Sequence, residues 1–158
     1  MTITHDQPSL DEAGNFHGQS LDAALTVGDL GVSLAWYRDV VGFTVDRQYE
    51  REGRLIAIAL KAGEVRILIV QDDGAKGMDR MKGEGLSLQI TTSQSIDELA
   101  RRIKKLGGTL ALEPTTVPWG PRMFRLQDPD GFRFTISSGN PVRADAEATR
   151  KPDKTERE

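Results

Sequence analysis

The sequence has no cysteine, which excludes a disulfide framework, a thiolate metal site and a cysteine nucleophile. Histidine is almost as scarce. His5 and His17 are the only two, and both precede the first periodic segment, so imidazole acid–base or metal chemistry has little to draw on. Basic residues show no excess: 21 Lys and Arg against 24 Asp and Glu give a net charge of -3, which argues against nucleic acid as a partner. Apolar runs such as residues 67–70 fall far short of the roughly 20 residues of a membrane span. There is no GxSxG, and the serines have no histidine base in the folded part. Gly83-Glu84-Gly85 is too short for a phosphate or dinucleotide loop, so no cofactor is expected. The opening MTITHDQPSL lacks the order of a secretory signal, and the expected compartment is the cytoplasm.

The residues that are present suit one ordinary domain: 158 in all, 37% of them hydrophobic. Residues 1–20 carry no sustained apolar period and read as a disordered arm; residues 139–158, rich in both charges, read as a disordered tail. The folded part is expected over residues 21–138.

Ala23, Leu25 and Val27 alternate with polar or small residues, as in a half-buried strand. A helix comes next, capped by Asp29 or Ser33, with Val32, Ala35, Trp36, Val40 and Phe43 on its apolar stripe and Gly42 at its end. Three β-like runs succeed it, at 43–49, 55–61 and 65–71. The second half repeats the order. Leu86, Leu88 and Ile90 alternate, Ser95 and Glu98 form a capping box for a helix to Leu106, and three more runs lie at 109–112, 123–127 and 132–137, the last two joined by Asp128-Pro129-Asp130-Gly131. DAALTV overlies GLSLQI, VGFTV overlies LGGTL, and VRILI overlies FRFTI. The expected class is α+β: two paired βαβββ modules, about 21–72 and 84–138, forming a half-open, barrel-like cleft.

The segments VGDLGVSLAWYRDVVGF and PWGPRMFRLQDPDGFRFTI resemble the vicinal-oxygen-chelate superfamily of glyoxalases, extradiol dioxygenases and bleomycin-resistance proteins. The resemblance spans residues 21–138 and implies a cavity between modules, with modules paired within a chain or between chains. It also implies a divalent metal held by one side chain on the first and one on the last strand of each module. Those positions fall on Asp22, Leu68 (Ile67 on a one-residue slip), Gly85 and Thr135. Of these only Asp22 is a usual metal ligand, and one carboxylate does not hold a transition metal, so no metal is expected.

By strand alternation, Asp22, Ala24 and Thr26 should face Gly85, Ser87 and Gln89 across the cleft, with Arg66 and Leu68 turned inward in one half and Arg133 and Thr135 in the other. The two arginines suit an anionic or planar polar ligand, or else they are solvated and paired at the rim. Trp119, in the loop Pro118-Trp119-Gly120-Pro121, is either a flat ligand wall continued by Arg122 and Phe124 or a closure of the core. Trp36 and Tyr37, at mid-helix packing positions, read as core.

The expected function is a metal-free protein of the bleomycin-resistance type, a homodimer that sequesters a small organic molecule. The expected ligand contacts are Thr26, Arg66, Leu68, Gln89, Trp119, Arg122, Phe124, Arg133 and Thr135. The alternatives are a metal-dependent lyase, isomerase or dioxygenase retaining Asp22, or a regulatory domain that binds another protein through its surface.

Overall fold

In the computed structural model, which describes residues 14–139, two βαβββ modules follow one another. The first comprises β1 (Ala23–Val27), α1 (Leu30–Ala35), β2 (Thr44–Arg51), β3 (Arg54–Ala62) and β4 (Val65–Gln71). The second comprises β5 (Ser87–Thr92), α2 (Ile96–Lys105), β6 (Leu110–Thr116), β7 (Arg122–Gln127) and β8 (Arg133–Ser138). Each contributes a four-stranded sheet, ordered β1-β4-β3-β2 and β5-β8-β7-β6, in which the first strand runs parallel to the last. The sheets do not close into a barrel. The readings of residues 1–13 and 140–158, His5 included, lie outside the described residues, and residues 14–20 hold no helix or strand.

Local chemistry accounts for both helices. In α2, Ser95 Oγ accepts from the Glu98 amide at 3.3 Å, while Ile96, Ala100 and Ile103 recur every three or four residues and are buried. Arg102, Lys104 and Lys105 sit where the helix dipole favours cations. In α1, Asp29 Oδ1 accepts from the Val32 amide at 3.0 Å. The helix then widens into a π-helix over Trp36–Val41, which Gly42 closes at φ 104°, with the Gly42 and Phe43 amides both donating to the Tyr37 carbonyl. The buried face corrects the expected stripe. Leu30, Ser33 and Tyr37 point inward, whereas Val32 is 54% exposed and Ala35 is exposed. Two causes are visible: Ser33 is turned inward onto Asp130, and the π-helix shifts the phase of the residues from Trp36 onward.

The core lies between the sheets. Leu25, Val27, Ile58, Leu60, Ile67 and Ile69 of the first module join Ile96, Ile103, Phe124, Leu126, Phe134 and Ile136 of the second in one cluster. Tyr37 sits within it, its ring edge-on to Trp36, Phe43 and Phe134 at 4.7, 5.8 and 5.9 Å. Each fully buried side chain of this size contributes about 1.5–3 kcal/mol. Tyr37 is therefore core, as expected, and Trp36 packs half-buried against it.

The Asp128–Gly131 turn also fastens one module to the other. Tyr37 Oη donates to Asp128 Oδ2 at 2.7 Å, the Gly28 amide donates to Asp130 Oδ1 at 2.8 Å, and Ser33 Oγ donates to Asp130 Oδ2 at 3.3 Å. The connection between modules is tied down by a second carboxylate. Asp72 Oδ2 lies 2.9 Å from Lys82 Nζ and 3.4 Å from Arg80 Nη2, with the Asp72 and Lys82 side chains only 2% and 7% exposed. Gly83 then passes so near the turn that a Cβ there would stand 2.7 Å from the Gly131 carbonyl oxygen.

Candidate functional site

Strand alternation sorts the candidate residues into two faces. In the first sheet Leu25, Val27, Ile67 and Ile69 enter the core, which leaves Thr26, Arg66 and Leu68 on the opposite, open face. There Leu68 lies between Ala24 and Ala59 in register. A hollow of about 250 Å³ gathers Asp22, Ala24, Asp46, Tyr49, Arg66 and Leu68. In the second sheet Phe134 and Ile136 enter the core, so Gln89, Arg133 and Thr135 lie on the opposite face, where Thr135, between Gln89 and Arg125 in register, is itself buried. Arg133 borders a separate hollow of about 450 Å³ with Lys82, Glu84, Gln127 and Asp130.

These two groups do not meet in one chain. The hollow at Arg66 and the hollow at Arg133 are each built within one half of the molecule, because the shared core turns the two open faces away from each other. The expectation that Asp22, Ala24 and Thr26 look across at Gly85, Ser87 and Gln89 is corrected accordingly.

Three further expectations change. Arg122 lies on the helix side of β7 and grips Asp97 of α2 with two hydrogen bonds of 2.7 Å, so its guanidinium is already engaged. This pairing lowers the Asp97 pKa and raises that of Arg122. Phe124 is wholly buried and is part of the core, not of the open face. Trp119 does not close the core either. It stands 70% exposed on a turn in which the Gly120 amide donates to the Val117 carbonyl at 3.0 Å.

The register also realigns the internal repeat. Leu25 pairs with Ile69, and Ile90 pairs with Ile136, so Ile90, not Leu88, is the counterpart of Leu25 on the core face. Continued to the strand starts, this places Ser87 opposite Asp22 in the repeat, two residues beyond Gly85. The family metal positions thus present Asp22, Leu68, Ser87 or Gly85, and Thr135, a set with one carboxylate. Among the described residues no three His, Cys, Asp or Glu side chains cluster as a metal site would require. Among the described residues, the side chains at these positions do not fit a divalent metal. His17 is exposed ahead of β1.

Sequence reasoning missed Asp46 and Tyr49, which β2 brings beside Arg66. Both lie on a strand with register shifts, at Val45/Arg47 and Tyr49/Glu50, and simple alternation loses phase there. It also missed the long-range partners of Asp128 and Asp130, since a turn motif signals its own local bonds only.

The sequence profile described as Glyoxalase/Bleomycin resistance protein/Dioxygenase superfamily matches residues 20–136. Similar solved structures include TioX from Micromonospora sp. ML1, with 18% identity and a TM-score of 0.63, covering 77% of this chain and 98% of that one. A lactoylglutathione lyase from Agrobacterium tumefaciens has 21% identity and a TM-score of 0.58, covering 78% of this chain and 96% of that one. A glyoxalase I variant from Zea mays has 24% identity and a TM-score of 0.64, covering 75% of this chain and 44% of that longer one. No curated protein sequence matches significantly. Among the described residues no helix is long and apolar enough to cross a membrane.

Proposed function

Since the chain belongs to the glyoxalase/bleomycin resistance protein/dioxygenase superfamily, we propose that it binds a small organic molecule without a metal, in a cleft completed by a second copy of itself. One observation carries this reading: the superfamily frame is kept, while its metal positions hold Asp22, Leu68, Ser87 or Gly85, and Thr135. A site without ligating side chains but with a cation on the last strand of each module, Arg66 and Arg133, suits recognition better than Lewis-acid chemistry. The helix faces of both sheets are consumed by the core. A closed cleft therefore needs the open face of one copy set against the open face of another, and a homodimer with two equivalent clefts satisfies that symmetry.

In this arrangement Leu68 supplies apolar contact, Arg66, Gln89, Arg133 and Thr135 orient the polar part of the ligand, and Trp119 reaches over from its exposed loop. Arg122 and Phe124 hold the scaffold. The ligand class is a small anionic or planar polar organic molecule, matched to guanidinium groups that form paired hydrogen bonds and stack on flat surfaces.

Native mass spectrometry of the full chain, purified without chelator or metal-affinity tag, tests the reading. The expected result is a metal-free dimer, with or without a retained organic mass. A stoichiometric metal ion overturns it and favours a metal-dependent lyase, isomerase or dioxygenase built around Asp22. The thermal midpoint should also stay flat across saturating Mn, Fe, Co, Ni and Zn, because a bound metal would raise it by mass action.

A further inference from the structure

A further hollow lies away from both open faces, at the junction of the two modules on the helix side. It measures about 570 Å³, within the usual range of small-molecule sites. The first module supplies Val41, Phe43 and Val65 and the second Ile90, Leu99 and Ile103, which give an apolar floor, while Thr91, Thr92, Ser93 and Gln94 make one border polar. Two charged side chains border it, one from each module: Glu64 on the β3–β4 turn and Arg102 on α2.

Arg102 is exposed, and among the described residues it takes part in no ion pair. Its Nη2 stands over Gly42, 3.9 Å from where a Cβ would be, at the residue where the π-helix ends. The guanidinium thus stands at the border of a half-open hollow with an apolar floor.

We infer that this chamber is a second ligand site, distinct from the open faces, which takes a hydrophobic monocarboxylate: the apolar body enters between the modules and the carboxylate pairs with Arg102. The charge pattern selects the class. Five guanidinium N–H donors match a planar carboxylate, and an apolar lining of aromatic and branched side chains matches an aryl or branched alkyl body. Glu64, on the other module's border, disfavours a second negative charge and so a dicarboxylate. The site bridges both modules, and a bound ligand therefore also strengthens their association.

Methyl-resolved NMR titration of the full chain with phenylbutyrate and with phenylbutanol reads both location and charge. Phenylbutyrate should shift the methyls of Ile90, Ile103 and Ile136 and leave those of Leu68 and Val70 on the open face unmoved. Phenylbutanol should bind roughly tenfold more weakly, and Arg102→Gln should remove that difference. Ala62→Trp, at the border of the chamber, should weaken both ligands. The inference is overturned by no shift up to the solubility limit, by shifts confined to Leu68 and Val70, or by equal affinities for acid and alcohol. None of these bears on the metal content or dimerisation read for the proposed cleft.

Discussion

Tyr37 and Asp128, 91 residues apart, meet in a 2.7 Å hydrogen bond that couples the helix of one module to the turn of the other. The remaining Asp128 oxygen accepts from the Asp130 and Phe132 amides at 2.9 and 2.8 Å. Burial pushes the Tyr37 phenol far above its ordinary value, and the Asp128 charge adds to the shift. Burial also raises the Asp128 carboxyl, against the three hydrogen bonds that pull it down.

Tyr37→Phe removes a donor from a buried carboxylate. It should cost about 1–3 kcal/mol in urea unfolding at neutral pH. Asp128→Asn isolates the titration. Because the folded pKa of Asp128 lies above its unfolded value, the folded state binds more protons, and this group's contribution falls as pH rises from about 4 through the raised folded pKa. The Asn variant should lose that component of the slope; an unchanged pH profile contradicts the assignment.

Asp72 has the opposite sign. The Gly74 amide and the Lys82 ammonium lower its pKa from 3.8 to about 2. Its contribution is full above pH 3.8 and is lost as pH falls toward 2. Asp72→Asn should therefore flatten the acid limb of stability in that interval, measured by thermal unfolding, and Lys82→Met should shift the limb to higher pH.

Gly83→Ala places a methyl group against the Gly131 carbonyl while the backbone holds φ 73°. A loss of more than about 1 kcal/mol is expected. Gly53→Ala, also at φ 73° but in open space, is the control for strain without contact, and its cost should be smaller.

Trp119→Ala should change stability by less than about 0.5 kcal/mol, as its side chain is mostly in solvent. Ligand affinity in the proposed cleft should fall, measured by titration with whatever organic mass co-purifies. Arg122→Gln should leave that affinity unaltered, whereas Arg66→Gln with Arg133→Gln should reduce it.

The βαβββ order, the Ser95 cap and the strand faces were legible because each rests on residues within a few positions of one another. Leu25 with Val27 and Ile67 with Ile69 announce their core face by period alone. The inward turn of Ser33 was not legible, since its partner Asp130 is 97 residues away. Nor was the burial of Phe124. Alternation told which residues share a face, but not that the helix faces of both modules would merge into one core and send Arg66 and Arg133 apart. The repeat overlay slipped by two residues because a period-two pattern fits equally well at either register.

The π-helix at Trp36–Val41 constrains the protein in a way composition does not. A residue removed from this segment would rotate everything beyond it by about 100° about the helix axis. Tyr37 lies near its start, Val41 ends it and Phe43 follows its cap, so both the bond to Asp128 and the wall of the junctional hollow depend on how many residues intervene. Length is therefore held more strictly here than identity. Exposed positions such as Arg38 and Asp39 can vary freely, whereas a single deletion would uncouple the two ends at once.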